Sequence, residues 1–168
     1  LQYLYTHRYL GIRYTRGAKG GLRGMSDSDW CIGPSTSAYV FFLAGAVISY
    51  LSKKQPTIAM SSTEAEIYAA SLAGLEAVFL RSMYRELAPG AMPPTPVGVD
   101  NKATADMSQD FVSNSRNRHF TRRHLKVREL VDASVIELMR VTTEENVADI
   151  FTKPLGRDRF QKLRKELL

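Results

Sequence analysis

Two short runs of β-branched and aromatic residues, Ser37 to Leu43 and Ala46 to Ser52, are separated by no more than the glycine-containing turn at Ala44 and Gly45. A link this short joins antiparallel strands, because a parallel pair needs a crossover of a dozen or more residues. The two runs therefore read as a hairpin. Leu22 to Trp30 precedes them with the same strand character and reaches them through the turn Cys31-Ile32-Gly33-Pro34. Three consecutive antiparallel strands are expected, and they need helices or another sheet to cover their apolar faces.

The rest of the chain supplies the helices. Lys53-Lys54-Gln55-Pro56 closes the hairpin, and Ser61-Ser62-Thr63-Glu64 fits a capping box, with Ser61 as N-cap and Glu64 as its partner. A long helix then runs to about Leu87, where Pro89-Gly90 ends it. Beyond the stiff Pro93, Pro94, Pro96 linker, Val97 to Asp100 reads as a short buried strand and Asn101 to Met107 as a short helix. Arg116 to Val131 reads as a basic helix, and Val135 to Val141 as a strand. A helix capped by Thr142 or Thr143 runs through Phe151, Pro154 stops it, and Gly156 to Leu168 forms a last amphipathic helix. A hairpin block followed by alternating strands and helices implies an α/β fold with a mixed sheet. At the front, Leu1 to Tyr9 reads as a helix and Gly11 to Tyr14 as a strand, before a joint at Gly17, Gly20 and Gly21. The expected division is a connector over 1–20, a main domain over 21–155 and a terminal helix over 156–168.

A chain of 168 residues, 44% hydrophobic and 24% charged, suits one folded domain with a sizeable core. The longest apolar stretch, Ala38 to Leu51, is broken by Gly45 and is too short for a membrane-spanning helix. Leu1 to Leu10 carries His7 and Arg8 and does not read as a signal peptide. The first residue is not Met, which fits a fragment or a processed product. The single cysteine, Cys31, forms no internal disulfide and suits a reducing compartment. The net charge is +6, which favours polyanionic partners. Arg116, Arg118, Arg122, Arg123, Lys126 and Arg128 form a dense run that reads either as a solvated helix face or as a phosphate-contacting surface.

Within this pattern several carboxylates are out of place. Ala65 to Leu80 is charged only at Glu66 and Glu76. Glu64 has a capping role, whereas Glu66 has none and either points to solvent or is compensated by a cation. Asp100 ends an apolar strand, where acids often face a site crevice, although it could equally cap the next helix. Asp27 and Asp29 share one face of the first strand. Asp149 is flanked by apolar Ala148 and Ile150. Four elements each bring an acid without a Cys/His cluster, and hard oxygen donors suit Mg²⁺ or Mn²⁺ rather than zinc. His119 and His124 match no zinc spacing, and Gly17 to Gly24 lacks the Lys-Ser/Thr ending of a phosphate loop.

At these residues the chain resembles the ribonuclease H domain of copia-type LTR retrotransposon Pol polyproteins. The resemblance is carried by Ser26-Asp27-Ser28-Asp29-Trp30, Ser35 to Leu43, Ser52 to Pro56, Ser61 to Glu66, Val99-Asp100-Asn101, and Ala148 to Leu155, in that order. Leu1 to Tyr14 resembles the segment that joins the family's reverse transcriptase to this domain. The resemblance implies the ribonuclease H fold, a five-stranded mixed sheet in order 3-2-1-4-5 flanked by helices. It implies a catalytic and metal-binding set of Asp27, Glu66, Asp100 and Asp149, holding two Mg²⁺ ions, with Mn²⁺ as a substitute, for cleavage of the RNA strand of RNA–DNA hybrids during reverse transcription. Only the family pattern puts Asp27 ahead of Asp29. Ser28 and Asn101 are the neighbours expected to meet the RNA, and Arg116, Arg118, Arg122, Arg123 and Lys126 the residues expected to hold phosphates. The implied partners are the hybrid and an upstream reverse transcriptase domain, with no membrane. The implied place is a cytoplasmic virus-like particle or the nucleus.

The chain departs from the family where Cys31 to Pro34 replaces a longer polar loop, and where Phe120-Thr121-Arg122 stands in place of an acid between the two histidines. Those departures keep a second expectation open, a catalytically idle nucleic-acid-binding or architectural domain. A transposase or integrase on the same fold is a third, opposed by a helix-borne Glu66 between the first two strand acids.

Overall fold

In the computed structural model the described residues are 1–18, 20–107 and 121–168. Among them the strands are β1 (Arg23–Asp29), β2 (Thr36–Leu43), β3 (Ala46–Lys54), β4 (Thr95–Val99) and β5 (Ile136–Arg140). The helices are α1 (Gln2–Thr6), α2 (Ser62–Leu87), α3 (Lys102–Met107), α4 (Thr121–Asp132) and α5 (Arg157–Leu167), with a 3-10 helix at Val147–Phe151. The strands form one sheet in the order β3-β2-β1-β4-β5. β1, β2 and β3 are antiparallel neighbours, while β4 runs parallel to β1 and β5 parallel to β4. This is the expected ribonuclease H arrangement.

Alternation along β2 divides the core between two layers. Tyr39 and Phe41 pack with Ala70, Ala73 and Ala77 of α2 and with Val127 and Leu130 of α4. Val40 and Phe42 point the other way, to Val147, Ala148 and Leu163 of the 3-10 helix and α5. The buried face of α2 is mostly small, with Ala65, Ala69, Ala70, Ala73, Gly74 and Ala77 beside Glu66, Ile67 and Arg81, so the helix lies close to the sheet. Gly24 serves the same closeness in β1: a Cβ there would meet the Phe41 ring at 2.5 Å. The β2–β3 hairpin turns on Ala44 at φ 55° and Gly45 at φ 83°, the two positive values that match strand twist in a two-residue turn.

Two expected elements differ. Gly11 to Tyr14 is not a strand; it is held by single bonds, from the Arg13 amide to the Leu168 carbonyl at 3.2 Å and from the Tyr14 hydroxyl to the Val47 carbonyl at 2.7 Å. The helix expected from Thr142 shrinks to Val147–Phe151, because Asn146 intervenes as its cap. Fully buried, Asn146 accepts from the Ala148 amide at 3.2 Å and donates to the Ser26 carbonyl at 3.0 Å. The short helix is thereby fastened to the central strand.

Candidate metal centre

The site grows from the parallel pairing of β1 and β4. Met25 lies opposite Gly98, and continuing that register by two residues sets Asp27 beside Asp100, just past the end of β4. α2 then brings Glu66 over β1. Its start is fixed by Ser61, whose hydroxyl accepts from the Glu64 amide at 3.1 Å. The Glu64 carboxylate reaches back to the Met60 amide at 2.7 Å, one residue before the N-cap that the capping box predicts. Glu64 is thus occupied at the helix start, while Glu66 turns inward and is 5% exposed.

Asp27, Glu66 and Asp100 each offer a carboxylate oxygen within 4.8 Å of the others, a gathering of the kind that could hold a metal ion among the described residues. Glu66 Oε1 accepts from the Ser28 amide at 3.1 Å, whereas Oε2 is buried with no partner among the described residues. Asp100 Oδ2 accepts from the Thr143 hydroxyl at 3.2 Å. Asp27 is fully buried, with Oδ2 accepting from the Thr152 hydroxyl and Oδ1 3.1 Å from Lys153 Nζ. Burial pushes the Asp27 carboxyl up from 3.8 to about 6; Thr152 and Lys153 pull against the rise, and Asp149 and Asp100 add to it. Burial, with the charges of Asp27 and Asp100, also holds Glu66 well above the usual carboxylate range. Three crowded carboxyls of oxygen chemistry, one with a stranded atom, fit a hard divalent cation.

Asp149 stands next to this group rather than in it. Its Oδ1 is 2.8 Å from Lys153 Nζ, and its Oδ2 accepts from the Arg159 guanidinium. Burial works to lower the Lys153 ammonium, but its bonds to Asp149 and the charge of Asp27 outweigh burial and push it up. Asp29 keeps a buried, unpartnered Oδ1 at the end of β1 but lies outside the three-acid group.

The residues expected to touch nucleic acid are dispersed. Ser28 is buried, its hydroxyl accepting from Gln55 Nε2 at 3.3 Å. Asn101 Oδ1 accepts from the Thr104 amide at 3.1 Å, the bond of a helix cap. Arg122 is exposed. The Arg123 guanidinium lies 3.6 Å from the centre of the Tyr68 ring, and Lys126 pairs with Glu129 at 3.0 Å. Arg116 and Arg118 fall outside the described residues.

Sequence reasoning passed over Thr143, Thr152, Lys153 and Arg159 as partners of the acids. Only Lys153 left a signal, since it follows Asp149 by four residues, the spacing that brings side chains together on a helical turn. Arg159 sits on another element, and no local spacing marks it.

No family model matches the chain. It is 32% identical over 171 residues to the retrovirus-related Pol polyprotein from transposon TNT 1-94 of Nicotiana tabacum, an alignment that covers 94% of this chain and 13% of that protein. It is 30% identical over 171 residues to the corresponding polyprotein from transposon RE1 of Arabidopsis thaliana, covering 99% of this chain and 12% of that one. Its homologues are the retrovirus-related Pol polyproteins of plant transposons. The chain thus spans about an eighth of these relatives' lengths. Among solved structures it resembles the N-terminal RNase H domain of a Mycobacterium tuberculosis protein, with a TM-score of 0.61 at 15% identity, covering 89% of this chain and all of that one. It also resembles LC11-RNase H1 in complex with an RNA/DNA hybrid, with a TM-score of 0.58 at 13% identity, covering 78% of this chain and 93% of that one. The chain therefore has the ribonuclease H fold, with an acidic triad of Asp27 on β1, Glu66 on α2 and Asp100 just past β4.

Proposed function

We propose that this chain is a metal-dependent endonuclease that hydrolyses the RNA strand of RNA–DNA hybrids during reverse transcription of a retrotransposon. The observation that carries the reading is the meeting of Asp27, Glu66 and Asp100 within 4.8 Å, with one Glu66 oxygen left without a partner. The homologous Pol polyproteins and the hybrid held by a solved protein of the same fold support the substrate.

Asp27, Glu66 and Asp100 would hold Mg²⁺, or Mn²⁺ in its stead. When bound, such an ion supplies a Lewis acid for a phosphoryl oxygen and a more acidic water. The chain's own groups prepare that place. The Ser28 amide, the Thr143 hydroxyl and the Thr152 hydroxyl each fix one carboxylate, so the acids need little reorganisation when the scissile phosphate arrives. Arg122 and Arg123 on α4 would bind backbone phosphates without reading sequence. Ser28 and Asn101 would lie near the RNA sugar, where a 2′-hydroxyl distinguishes RNA from DNA.

The test is cleavage of a labelled hybrid in Mg²⁺. The chain should cut the RNA strand and Asp27→Asn should not. Cleavage surviving in Asp27→Asn overturns the assignment, and hybrid binding without cleavage in either Mg²⁺ or Mn²⁺ favours an idle binding domain instead.

A further inference from the structure

Three acids meet near the end of β1 and a fourth, Asp149, stands beside them in different surroundings. Asp27, Glu66 and Asp100 face one another. Asp149 has a cation on each oxygen, Lys153 on Oδ1 at 2.8 Å and Arg159 on Oδ2. The Lys153 ammonium also lies 3.1 Å from Asp27 Oδ1. An ion shared by Asp27 and Asp149 would have to sit between those two carboxylates, and the ammonium is already there.

We propose that Lys153 takes the place of a second cation, so that this site binds one divalent ion, on Asp27, Glu66 and Asp100. The inference rests on the metal-dependent reading above and replaces the two ions that the family resemblance implies.

Charge points the same way. With all four carboxylates ionised, as ligands to an ion must be, they carry four negative charges, and Lys153 with Arg159 supplies two positive ones. The remaining two negative charges match a single divalent ion. A second such ion would leave the buried site with excess positive charge, which a low-dielectric interior opposes.

The lysine is also held in place. The neighbouring Thr152 is bonded to Asp27, and Lys153's own amide donates to the Asp149 carbonyl at 3.0 Å. Its side chain is about two-thirds covered, at 34% exposure. An ammonium so placed neutralises and aligns Asp27 and Asp149, but it cannot make a bound water acidic as a metal does. Lys153 is therefore a positioning residue, and Asp149 its anchor rather than a metal ligand.

The experiment counts ions on the hybrid-free protein by calorimetric titration with Mn²⁺, with circular dichroism to confirm folding. Wild type should take up one ion, Lys153→Met two, and Asp149→Asn still one, with its affinity changed less than about tenfold. Two ions on wild type, or loss of the ion in folded Asp149→Asn, overturns the proposal. Should Lys153→Met fail to fold, the wild-type and Asp149→Asn counts decide alone. Uptake of no ion by wild type overturns the metal-dependent reading itself, and the one-ion inference with it.

Discussion

The Ser28 amide donates to Oε1 of Glu66 at 3.1 Å, and no described residue meets Oε2. One oxygen thus joins α2 to the central strand and the other is left for something else. Glu66→Gln keeps the first bond and removes a buried charge. Its amide NH2 can donate toward the crowded Asp27 and Asp100 carboxylates, so the metal-free protein should gain on the order of 1–3 kcal/mol, the scale of a hydrogen bond to a charged group, while divalent-ion uptake should be lost. Denaturant melts with and without Mn²⁺ read both, and a metal-free variant less stable than wild type would contradict this account of Glu66.

Folding raises the Asp27 carboxyl from 3.8 to about 6. Between those values the folded protein holds a proton that the unfolded chain has released. Metal-free stability should therefore fall as pH rises through that window, by on the order of 3 kcal/mol for a shift of this size. Below the window the acid is neutral in both states and the penalty vanishes. Divalent-ion affinity should run oppositely, rising with pH as the proton stops competing. Thermal melts from pH 4 to pH 7, with and without Mg²⁺, should converge at the acid end. Flat metal-free stability would remove Asp27 as the titrating group.

Arg123 rests on the Tyr68 ring 3.6 Å from its centre, and Arg122 is exposed beside it. If α4 holds phosphates, Arg122→Ala should weaken hybrid binding about equally for all sequences and lower the salt slope by roughly one. Arg123→Lys keeps the charge but loses the planar stack, so it should weaken binding as well. Binding curves at several salt concentrations would show either effect, and an unchanged slope in Arg122→Ala would place the phosphate track elsewhere.

A Cβ at position 24 would lie 2.5 Å from the Phe41 ring, on a strand packed from both sides. Gly24→Ala should cost about 1–3 kcal/mol through overpacking. The denaturant midpoint should drop without a change in slope.

The sheet was legible in the sequence because its strands declare themselves locally. The turn at Ala44-Gly45 and the apolar runs beside it need no distant information. The same holds for the start of α2, where Ser61 and Glu64 act within one turn of chain. Glu66 stood out because an acid in an alanine-rich helix contradicts its neighbours. Thr143 and Arg159 did not, since each meets its acid from another element. Gly11 to Tyr14 has strand-like residues but meets the edge strand β3 through the Tyr14 hydroxyl rather than a ladder of backbone bonds, so the sequence pattern there misleads. Asn146 broke the expected helix because its side chain satisfies backbone groups that a continuous helix would have used.

The hydroxyl of Thr152 reaches Asp27 across 125 residues of sequence. During synthesis, at roughly 5–20 residues per second, the first acid leaves the ribosome well before the residue that holds it. For several seconds β1 and α2 can meet and Glu66 can find Ser28, yet Asp27 lacks both its hydroxyl and its ammonium. The growing chain thus carries an unfinished, charge-crowded centre that becomes orderly only when Thr152 and Lys153 arrive. Synthesis of the Thr152–Lys153 segment works here as a timer, since a product truncated short of Thr152 would bring the acids forward without the groups that settle them.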